Sequence, residues 1–349
     1  MDISNASNMS DDLSSAWYKS TAFRVSAAIV YLLICVSGLI GYILYCFVIF
    51  RNRKALSNPF YALTVSMAVP DCAHNTITIF YAIPAMTSTQ SGSGSDLAPL
   101  WLRDIFGFIC DYAWFIVCSH MVLIASNRII SLKWRISYTT LFSTPRVICL
   151  LVGAYAISLI IPIITYHCSC RFEFATFTWG LSCSEDERCG DLVSLSDSIW
   201  TNMQIVFVLV CDALILAYVY KKGRSINPTN ASSTPQQSTQ QRHFKREKAL
   251  ILQFSAVAII LIVGQCIFWA FPMIIERGNV VPEVAGFISM IINLLTSSLN
   301  PFLYFIFSSE IRKRLFKTKE TGNAQNGTTM FLHRRSIGGH QNSDNRSKT

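Results

Sequence analysis

Ionisable side chains interrupt several long apolar stretches of this sequence, and they are the residues best placed to do chemistry. Asp71 and Asp212 each lie within such a stretch, and Arg128 lies near the end of another. A charge in a bilayer is costly, so these residues are expected to face a cavity, a partner or the membrane surface. Counting back from Arg128 in helical steps of three and four gives one stripe, Ala125, Met121, Cys118, Trp114 and Asp111. The stripe predicts a carboxylate and an indole near one membrane face and a guanidinium near the other.

Apolar segments of membrane-spanning length must position these residues. The chain is 52% hydrophobic and only 14% charged, which is typical of a polytopic membrane protein. A run of about 20 apolar residues spans a bilayer as a helix. Seven such segments fall near 25–50, 59–86, 104–132, 146–166, 197–220, 249–275 and 282–307. The predicted fold class is therefore an all-α membrane protein, a seven-transmembrane helix bundle.

The basic residues are sorted by side and so predict the orientation of the bundle. Most of the 29 lysines and arginines fall in the carboxyl-terminal tail and in the loops after the first, third and fifth segments. By the positive-inside rule these regions are cytoplasmic, and the amino terminus is outside the cell. The net charge of +9 is then a topology signal, and nucleic-acid binding is not predicted. Two glycosylation triplets, starting at Asn5 and Asn8, fall in the predicted exterior tail.

The predicted organisation has four parts along the chain. Residues 1–24 form an exterior tail, 25–307 the membrane bundle, 308–318 a short cytoplasmic amphipathic eighth helix, and 319–349 a disordered cytoplasmic tail. The eighth helix is predicted because Ile311 and Leu315 stand four residues apart among arginines and lysines. Such a basic amphipathic stretch is expected to lie on anionic lipid at the inner leaflet of the bilayer.

The cysteines fall in two settings. Most lie within predicted helices, where a free cysteine packs like a small apolar residue. Four occupy the long predicted exterior loop between the fourth and fifth segments: Cys168, Cys170, Cys183 and Cys189. Because the exterior is oxidising, one or two disulfides are predicted in this loop. The spacing of the four cysteines leaves every pairing open.

Several motifs resemble those of rhodopsin-like G-protein-coupled receptors. The first segment ends in residues 41–54, a run similar to the first helix and loop of that family, with Tyr42 where the family usually has asparagine. Residues 67–71, Met-Ala-Val-Pro-Asp, resemble the family's Leu-Ala-x-x-Asp. Residues 300–304 of the seventh segment form an intact Asn-Pro-x-x-Tyr motif. In the sixth segment, Phe268-Trp269-Ala-Phe-Pro is similar to the family's Cys-Trp-x-Pro, with one extra residue.

This resemblance implies roles for the polar residues of the bundle. In that family the mid-membrane carboxylate, here Asp71, contacts the third and seventh helices. Asn300 can bond Asp71, and Tyr304 can swing inward because Pro301 frees a backbone carbonyl. His74 stands one helical turn from Asp71, so the two side chains can pair, or both can serve as polar contacts between helices.

The third segment resembles a narrower group, the nematode serpentine chemoreceptors of class X. Asn127-Arg128-Ile stands where rhodopsin-like receptors have an acidic residue, Arg and Tyr, and Asn-Arg is the common form in class X. Cys110 stands seven residues later than the disulfide cysteine that rhodopsin-like receptors carry in this helix. Further motifs similar to class X are Gly107, Ser119-His120, residues 124–128, Tyr138-x-x-x-Phe142-Ser143, Cys170-Arg-Phe, Thr178-Trp179 and Cys189-Gly190.

The class resemblance implies a chemosensory receptor in the plasma membrane of a sensory cilium. Its cytoplasmic face would activate a heterotrimeric G protein, and an external small molecule would bind among the outer halves of the helices. The residues expected to couple and switch are Asn127, Arg128, Asp71, Asn300, Pro301 and Tyr304. The residues expected to face the ligand are Asp111, Trp114, Cys118, Trp200, Gln204, Phe268 and Trp269.

Other functions fit the sequence less well. A receptor for an internal neuropeptide or amine stays open, because Asp111 can pair with an amine. A transporter is disfavoured, since the two halves of the chain show no repeat of charged, broken helices. An enzyme is not predicted, because zinc hydrolysis needs about three clustered ligands and only His74 and His120 lie within the segments. No metal or cofactor is predicted, and a retinal Schiff base would need a lysine in the seventh segment.

Overall fold

A computed structural model describes the membrane bundle and little of its flanks. The residues described are 20–51, 58–88, 97–134, 138, 140–175, 177–183, 187–225, 255–260, 262–264, 266–267, 270, 282–308 and 311–312. The predicted glycosylation triplets at Asn5 and Asn8, the motif residues Phe268 and Trp269, and most of the predicted eighth helix lie outside these residues.

The helices follow the predicted apolar segments closely. The first helix spans Thr21–Phe50, the third Leu100–Lys133, the fifth Glu187–Ser225 and the seventh Pro282–Phe307. The fourth segment consists of two helices, Thr144–Ser158 and Ile160–His167. Among the described residues, five helical stretches are long and apolar enough to cross a membrane: Thr21–Phe50, Leu100–Lys133, Thr144–His167, Arg188–Lys221 and Glu283–Phe307. Of the sixth segment the structure describes the short apolar stretch Ser255–Gly264 in part.

The second segment departs from a plain α-helix. It begins with the helix Pro59–Ile77, continues through a π-helical turn at Thr78–Ala82 and ends with the helix Ile83–Ser88. Asn58 caps its start by accepting a hydrogen bond from the Phe60 backbone N–H. The segment also carries Asp71 on its buried face. Its polarity and its π turn are typical of a helix that lines a functional site.

A β-hairpin occupies the loop between the fourth and fifth segments, and the sequence analysis did not predict it. Strand β1, Cys170–Ala175, pairs antiparallel with β2, Thr178–Cys183. Phe177 in the tight turn has a positive φ of 69° and is buried. Its backbone carbonyl accepts a hydrogen bond of 3.0 Å from the Tyr31 hydroxyl, so the turn is fixed to the first helix. We call this end of the bundle the hairpin end.

Two clusters of buried side chains form the core. The cluster at the hairpin end joins the hairpin to the first, second, third and seventh helices, with Tyr31, Tyr81, Phe174, Trp179 and Met290 among its members. The cluster at the opposite end joins all seven segments, with Tyr45, Phe60, Met121, Ile124 and Tyr304 among its members. The first and seventh helices pack so closely that a Cβ on Gly41 would lie 2.9 Å from Pro301 Cγ. The first and seventh helices therefore leave no room between them at this level.

Candidate functional site

A large cavity opens inside the bundle beneath the hairpin. It encloses about 1010 Å³, counting the space at its mouth that is open to solvent. Its walls combine apolar and aromatic side chains with a few polar ones, as is typical of pockets for small molecules. The described residues that line it come from the second, third, fifth, sixth and seventh segments and from the hairpin: Pro70, Asp71, His74, Cys110, Asp111, Ala113, Trp114, Val117, Phe172, Thr178, Trp179, Asp197, Gly264, Ser289, Ile292, Asn293, Thr296 and Ser297.

The hairpin roofs this cavity and is held on the third helix by charge. Arg103 donates to Glu173 of β1 at 2.7 Å, and Arg171 of β1 lies 3.5 Å from Asp104. Arg103 stands seven residues before Cys110. Rhodopsin-like receptors usually have their disulfide cysteine at the position of Arg103. An ion pair therefore connects the loop to the third helix where those receptors have a covalent bond. Cys110 itself is buried and free.

Two disulfides brace the hairpin. Cys170 and Cys183 face each other across the two strands and are bonded. Cys168, just before β1, is bonded to Cys189 at the start of the fifth helix. The prediction of one or two disulfides in this loop is confirmed, and the structure selects one of the pairings that spacing had left open. The hairpin is thus a stiff roof attached covalently to the fifth helix.

The predicted ligand residues separate into two groups and some outliers. Asp111 and Trp114 line the large cavity. Cys118 and Gln204 line a small apolar pocket farther along the third helix, where the Gln204 amide donates to the Ser119 hydroxyl at 3.3 Å. Trp200 is not among the described residues that line either space. Phe268 and Trp269 lie outside the described residues, so their predicted roles stay predictions.

Several cavity residues were missed by sequence reasoning. Asp197 lies on the fifth helix at the level of Asp111, and its carboxylate accepts a hydrogen bond of 3.0 Å from the Thr201 hydroxyl. Phe172 and Trp179 project from the two strands and stack with ring centroids 5.9 Å apart. The signal for Asp197 was present in the sequence, since it is a carboxylate at the outer end of an apolar segment. The aromatic residues could not be found without the strand register.

Asp71 sits at the centre of a buried polar network below the cavity. It is 1% exposed, and its Oδ2 accepts hydrogen bonds from the Tyr42 hydroxyl and from Asn300 Nδ2, the latter at 3.0 Å. The possible pair of Asp71 with His74 is not formed, because the bonds come from the first and seventh helices. The bond from Asn300 is the one that the family motif had indicated. Tyr42, which replaces the usual asparagine of rhodopsin-like receptors, therefore keeps an interhelical hydrogen bond to this carboxylate.

At the opposite end of the bundle, Arg128 is partly buried and stacks on an aromatic ring. Its guanidinium carbon lies 3.7 Å from the centroid of the Phe60 ring. The Phe60 ring also contacts Tyr304, with centroids 6.2 Å apart, and Tyr304 packs on Tyr45 at 4.8 Å. A cation over a ring face is stabilised by about 0.5–2 kcal/mol. Phe60 thus holds Arg128 beside the tyrosine of the Asn-Pro-x-x-Tyr motif.

The neighbours of Arg128 on the third helix are bonded to other segments. Asn127 is buried, and its amide donates to the Tyr138 hydroxyl at 3.4 Å. His120, on another face of the helix, bonds the Ser66 hydroxyl of the second segment at 3.0 Å. In the described part of the chain no group of three or more histidine, cysteine or acidic side chains is placed to hold a metal ion.

Only the start of the predicted eighth helix is described. The Arg312 backbone N–H donates to the Ser308 carbonyl at 3.1 Å, which is the spacing of one helical turn. Ile311 is 1% exposed and belongs to the core cluster around Tyr304. The chain after the seventh helix therefore turns back onto the bundle through Ile311.

Comparisons with known proteins cover almost the whole bundle. A family model described as "Serpentine type 7TM GPCR chemoreceptor Srx" matches residues 32–308. Melanin-concentrating hormone receptor 2 of Macaca fascicularis is 25% identical over 334 residues, which cover 88% of this chain and 91% of that protein. The protein of the same name from Homo sapiens is 24% identical over 335 residues, covering 87% of this chain and 89% of its own. The matched region includes both the cavity and the Arg128 cluster.

Proposed function

The chain belongs to the Srx family of serpentine seven-transmembrane G-protein-coupled chemoreceptors, and from this premise we propose that it senses an external small molecule and activates a heterotrimeric G protein. The membership makes it a receptor rather than an enzyme, and it confirms the seven-transmembrane bundle predicted from the apolar segments. The observation that carries the proposal is the pairing of a roofed cavity at one end with the Arg128 cluster at the other.

The connection between the two ends runs through the seventh helix. The part of this helix that lines the cavity carries Asn293, Thr296 and Ser297. Asn300 lies about one turn farther along the same helix and is hydrogen-bonded to Asp71. Pro301 weakens the helix there because it lacks a backbone N–H, and Tyr304 follows in the cluster around Phe60. A ligand that fits one arrangement of this helix better than another shifts the population of the two states by its difference in affinity. The proposed switch residues are therefore Asn127, Arg128, Asp71, Asn300, Pro301 and Tyr304.

We also propose how the receptor is placed in the cell. The asymmetry of lysine and arginine supports an amino terminus outside the cell, with the hairpin end exterior and the Arg128 end cytoplasmic. The class supports residence in a sensory cilium of a nematode. The basic residues that follow Ile311 favour contact with anionic lipid.

Nucleotide exchange on purified G proteins tests the proposal. The full-length chain is reconstituted in lipid vesicles with a panel of heterotrimeric G proteins, with and without pooled odorants and tissue extracts. Exchange that is stimulated by a fraction of the pool is expected, and the active fraction is then purified. Absence of stimulation with every G protein and every fraction, although the chain is correctly inserted, would contradict the proposal.

A receptor for an internal peptide hormone is the second candidate. The observation that favours it is the similarity to melanin-concentrating hormone receptor 2 across 88% of this chain. The two candidates differ in the source and in the molecular size of the activating compound. Activation only by peptide from tissue extract, destroyed by protease treatment, would favour the second candidate over a small external molecule.

Replacing Phe60 with leucine is expected to raise exchange in the absence of ligand. Leucine keeps an apolar side chain in the cluster but removes the ring face that holds the Arg128 guanidinium. Loss of roughly 0.5–2 kcal/mol of cation–π stabilisation corresponds to an increase of about two- to thirtyfold in the released population. Basal exchange is measured in vesicles at equal receptor density. Phe142→Leu is the control, because Phe142 is a buried ring of the same cluster and stacks on Tyr138. An equal rise of basal exchange in both variants would contradict a specific role of Phe60.

Replacing Asp71 with asparagine is also expected to raise basal exchange. The change weakens two hydrogen bonds to a buried carboxylate, each worth about 1.5–3 kcal/mol, and so loosens the seventh helix at Asn300. Tyr42→Phe removes only one of these donors and is expected to change exchange in the same direction but less. Basal exchange and surface delivery are measured for both variants. Loss of Asp71→Asn from the cell surface would instead assign Asp71 a role in folding.

A further inference from the structure

The large cavity presents carboxylates from different segments, and the described residues supply no lysine or arginine among its walls. Asp111 reaches it from the third helix, Asp197 from the fifth and Asp71 from the second. Asp111 and Asp197 thus reach the same cavity from two helices that pack together. Asp71 is already satisfied on one oxygen by Tyr42 and Asn300. Asp111 and Asp197 therefore form the part of this acidic wall that is available to a ligand.

The described arginines nearest to this wall are engaged elsewhere. Arg171 shares a small neighbouring pocket with Asp111, but its guanidinium lies 3.5 Å from Asp104. Arg103 is paired with Glu173 at 2.7 Å. The sixth segment, 249–275, holds no basic residue in the sequence, and Arg277 follows its end. A charged carboxylate in a low-dielectric cavity is costly unless a positive group meets it.

Buried polar atoms without partners line the same cavity, and they are an independent sign of a missing ligand. Trp179 is 3% exposed and His74 is 7% exposed, and both line the cavity. Trp179 Nε1, His74 Nδ1 and Asp71 Oδ1 have no hydrogen-bond partner among the described residues. Buried polar groups in proteins are nearly always hydrogen-bonded, so orphaned atoms around one space indicate a ligand or water that completes them.

The aromatic side chains complete the site. Trp114 lies one helical turn from Asp111 and lines the cavity beside it. The stacked rings of Phe172 and Trp179 form the roof. Aromatic faces next to carboxylates bind organic cations, because the ring quadrupole attracts positive charge while the ring excludes water.

From these contacts we infer that the ligand is a small organic cation, an ammonium or guanidinium compound, whose positive group lies between Asp111 and Asp197. This inference rests on the proposed function, since it names the ligand class of the proposed receptor. It adds Asp197 as a ligand residue that sequence reasoning did not select. Carboxylic acids and neutral odorants are expected to be excluded, because the described wall repels the former and leaves the two carboxylates unpaired with the latter.

Binding is tested without a G protein, by thermal stabilisation of the purified full-length chain in lipid nanodiscs. The probes share carbon skeletons and differ in charge: phenethylamine, 2-phenylethanol and phenylacetate; butylamine, butanol and butanoate; and the diamine 1,4-diaminobutane. We expect one or more of the amines to raise the melting temperature, while the matched alcohols and acids do not. Stabilisation by alcohols or acids equal to that by amines, or by no amine at all, would overturn the inference.

Three variants locate the binding group. Asp111→Asn and Asp197→Asn are each expected to weaken the amine effect at least tenfold in concentration. Asp212→Asn is the matched control, because Asp212 is a buried carboxylate of the same fifth helix that is not among the residues lining this cavity. Amine stabilisation that survives in both cavity variants, or that is lost equally in the control, would refute the assignment.

Arg277→Gln tests whether the protein supplies the cation itself. Unchanged amine stabilisation in this variant is expected, and stabilisation that appears only in it would overturn the inference.

Nucleotide exchange on G proteins is measured in the same preparations. Amine binding without exchange would refute the proposed coupling and leave the ligand class standing, whereas exchange driven only by non-cationic compounds would do the reverse.

Discussion

Replacing Arg128 with alanine is expected to reduce ligand-stimulated nucleotide exchange at least tenfold while surface delivery stays normal. In rhodopsin-like receptors the arginine at this place engages the G protein, and we propose the same role for Arg128. The Arg128 side chain is partly buried, and its truncation removes the charge together with the side chain, so that a small gap is left beside Phe60. Exchange is compared at equal receptor density, with surface delivery measured by labelling intact cells.

Two further variants separate the contributions of Arg128. Arg128→Lys keeps the charge but loses the planar group that stacks on a ring, so it is expected to couple weakly. Arg146→Ala removes a basic residue from the start of the fourth segment, where Arg146 bonds the Thr140 carbonyl, and it is expected to couple normally. Exchange by Arg128→Ala equal to that of the wild type would remove Arg128 from the mechanism.

Replacing Gly107 with alanine is expected to weaken the response to ligand at least tenfold by displacing the hairpin. A Cβ on Gly107 would lie 1.7 Å from the backbone carbonyl oxygen of Phe172, which is far inside van der Waals contact. The carbonyl cannot simply turn away, because β1 is paired with β2 and the ion pairs at Arg171 and Glu173 hold it on both sides of Phe172. The strand must therefore move off the third helix, and Phe172 moves with the roof of the cavity. Overpacking of this kind typically costs about 1–3 kcal/mol or more.

The same hairpin offers a matched control. A Cβ on Gly180, in β2, would meet nothing within 4 Å, so Gly180→Ala is expected to respond like the wild type. Ligand response is measured as stimulated exchange, and basal exchange reports whether the opposite end of the bundle is still intact. We expect Gly107→Ala to keep basal exchange and to need at least tenfold more ligand, if it responds at all. A normal ligand response by Gly107→Ala would show that the hairpin does not set the shape of the site.

The helices and the topology of the bundle were predictable because they depend on local sequence. A helix that spans a bilayer needs about 20 apolar residues in succession. Whether a segment meets this condition depends only on its own sequence. The predicted third segment, 104–132, became the helix Leu100–Lys133, and the seventh, 282–307, was correct at both ends. The stripe from Asp111 to Arg128 follows from helical periodicity alone. The family motifs were equally local, since each lies within one segment.

The partners of the polar residues were decided by the tertiary structure. The family motif had indicated the bond from Asn300 to Asp71, but the bond from Tyr42 on the first helix was not foreseen, and His74, one turn away, does not take its place. The disulfides were equally undetermined, because Cys170 meets Cys183 only once the register of β1 and β2 is set. Asp197 became a site residue because the packing of the third and fifth helices brings it to the same cavity as Asp111. Periodicity tells which residues share a face of one helix, whereas the meeting of two faces depends on how all the helices and the hairpin pack together.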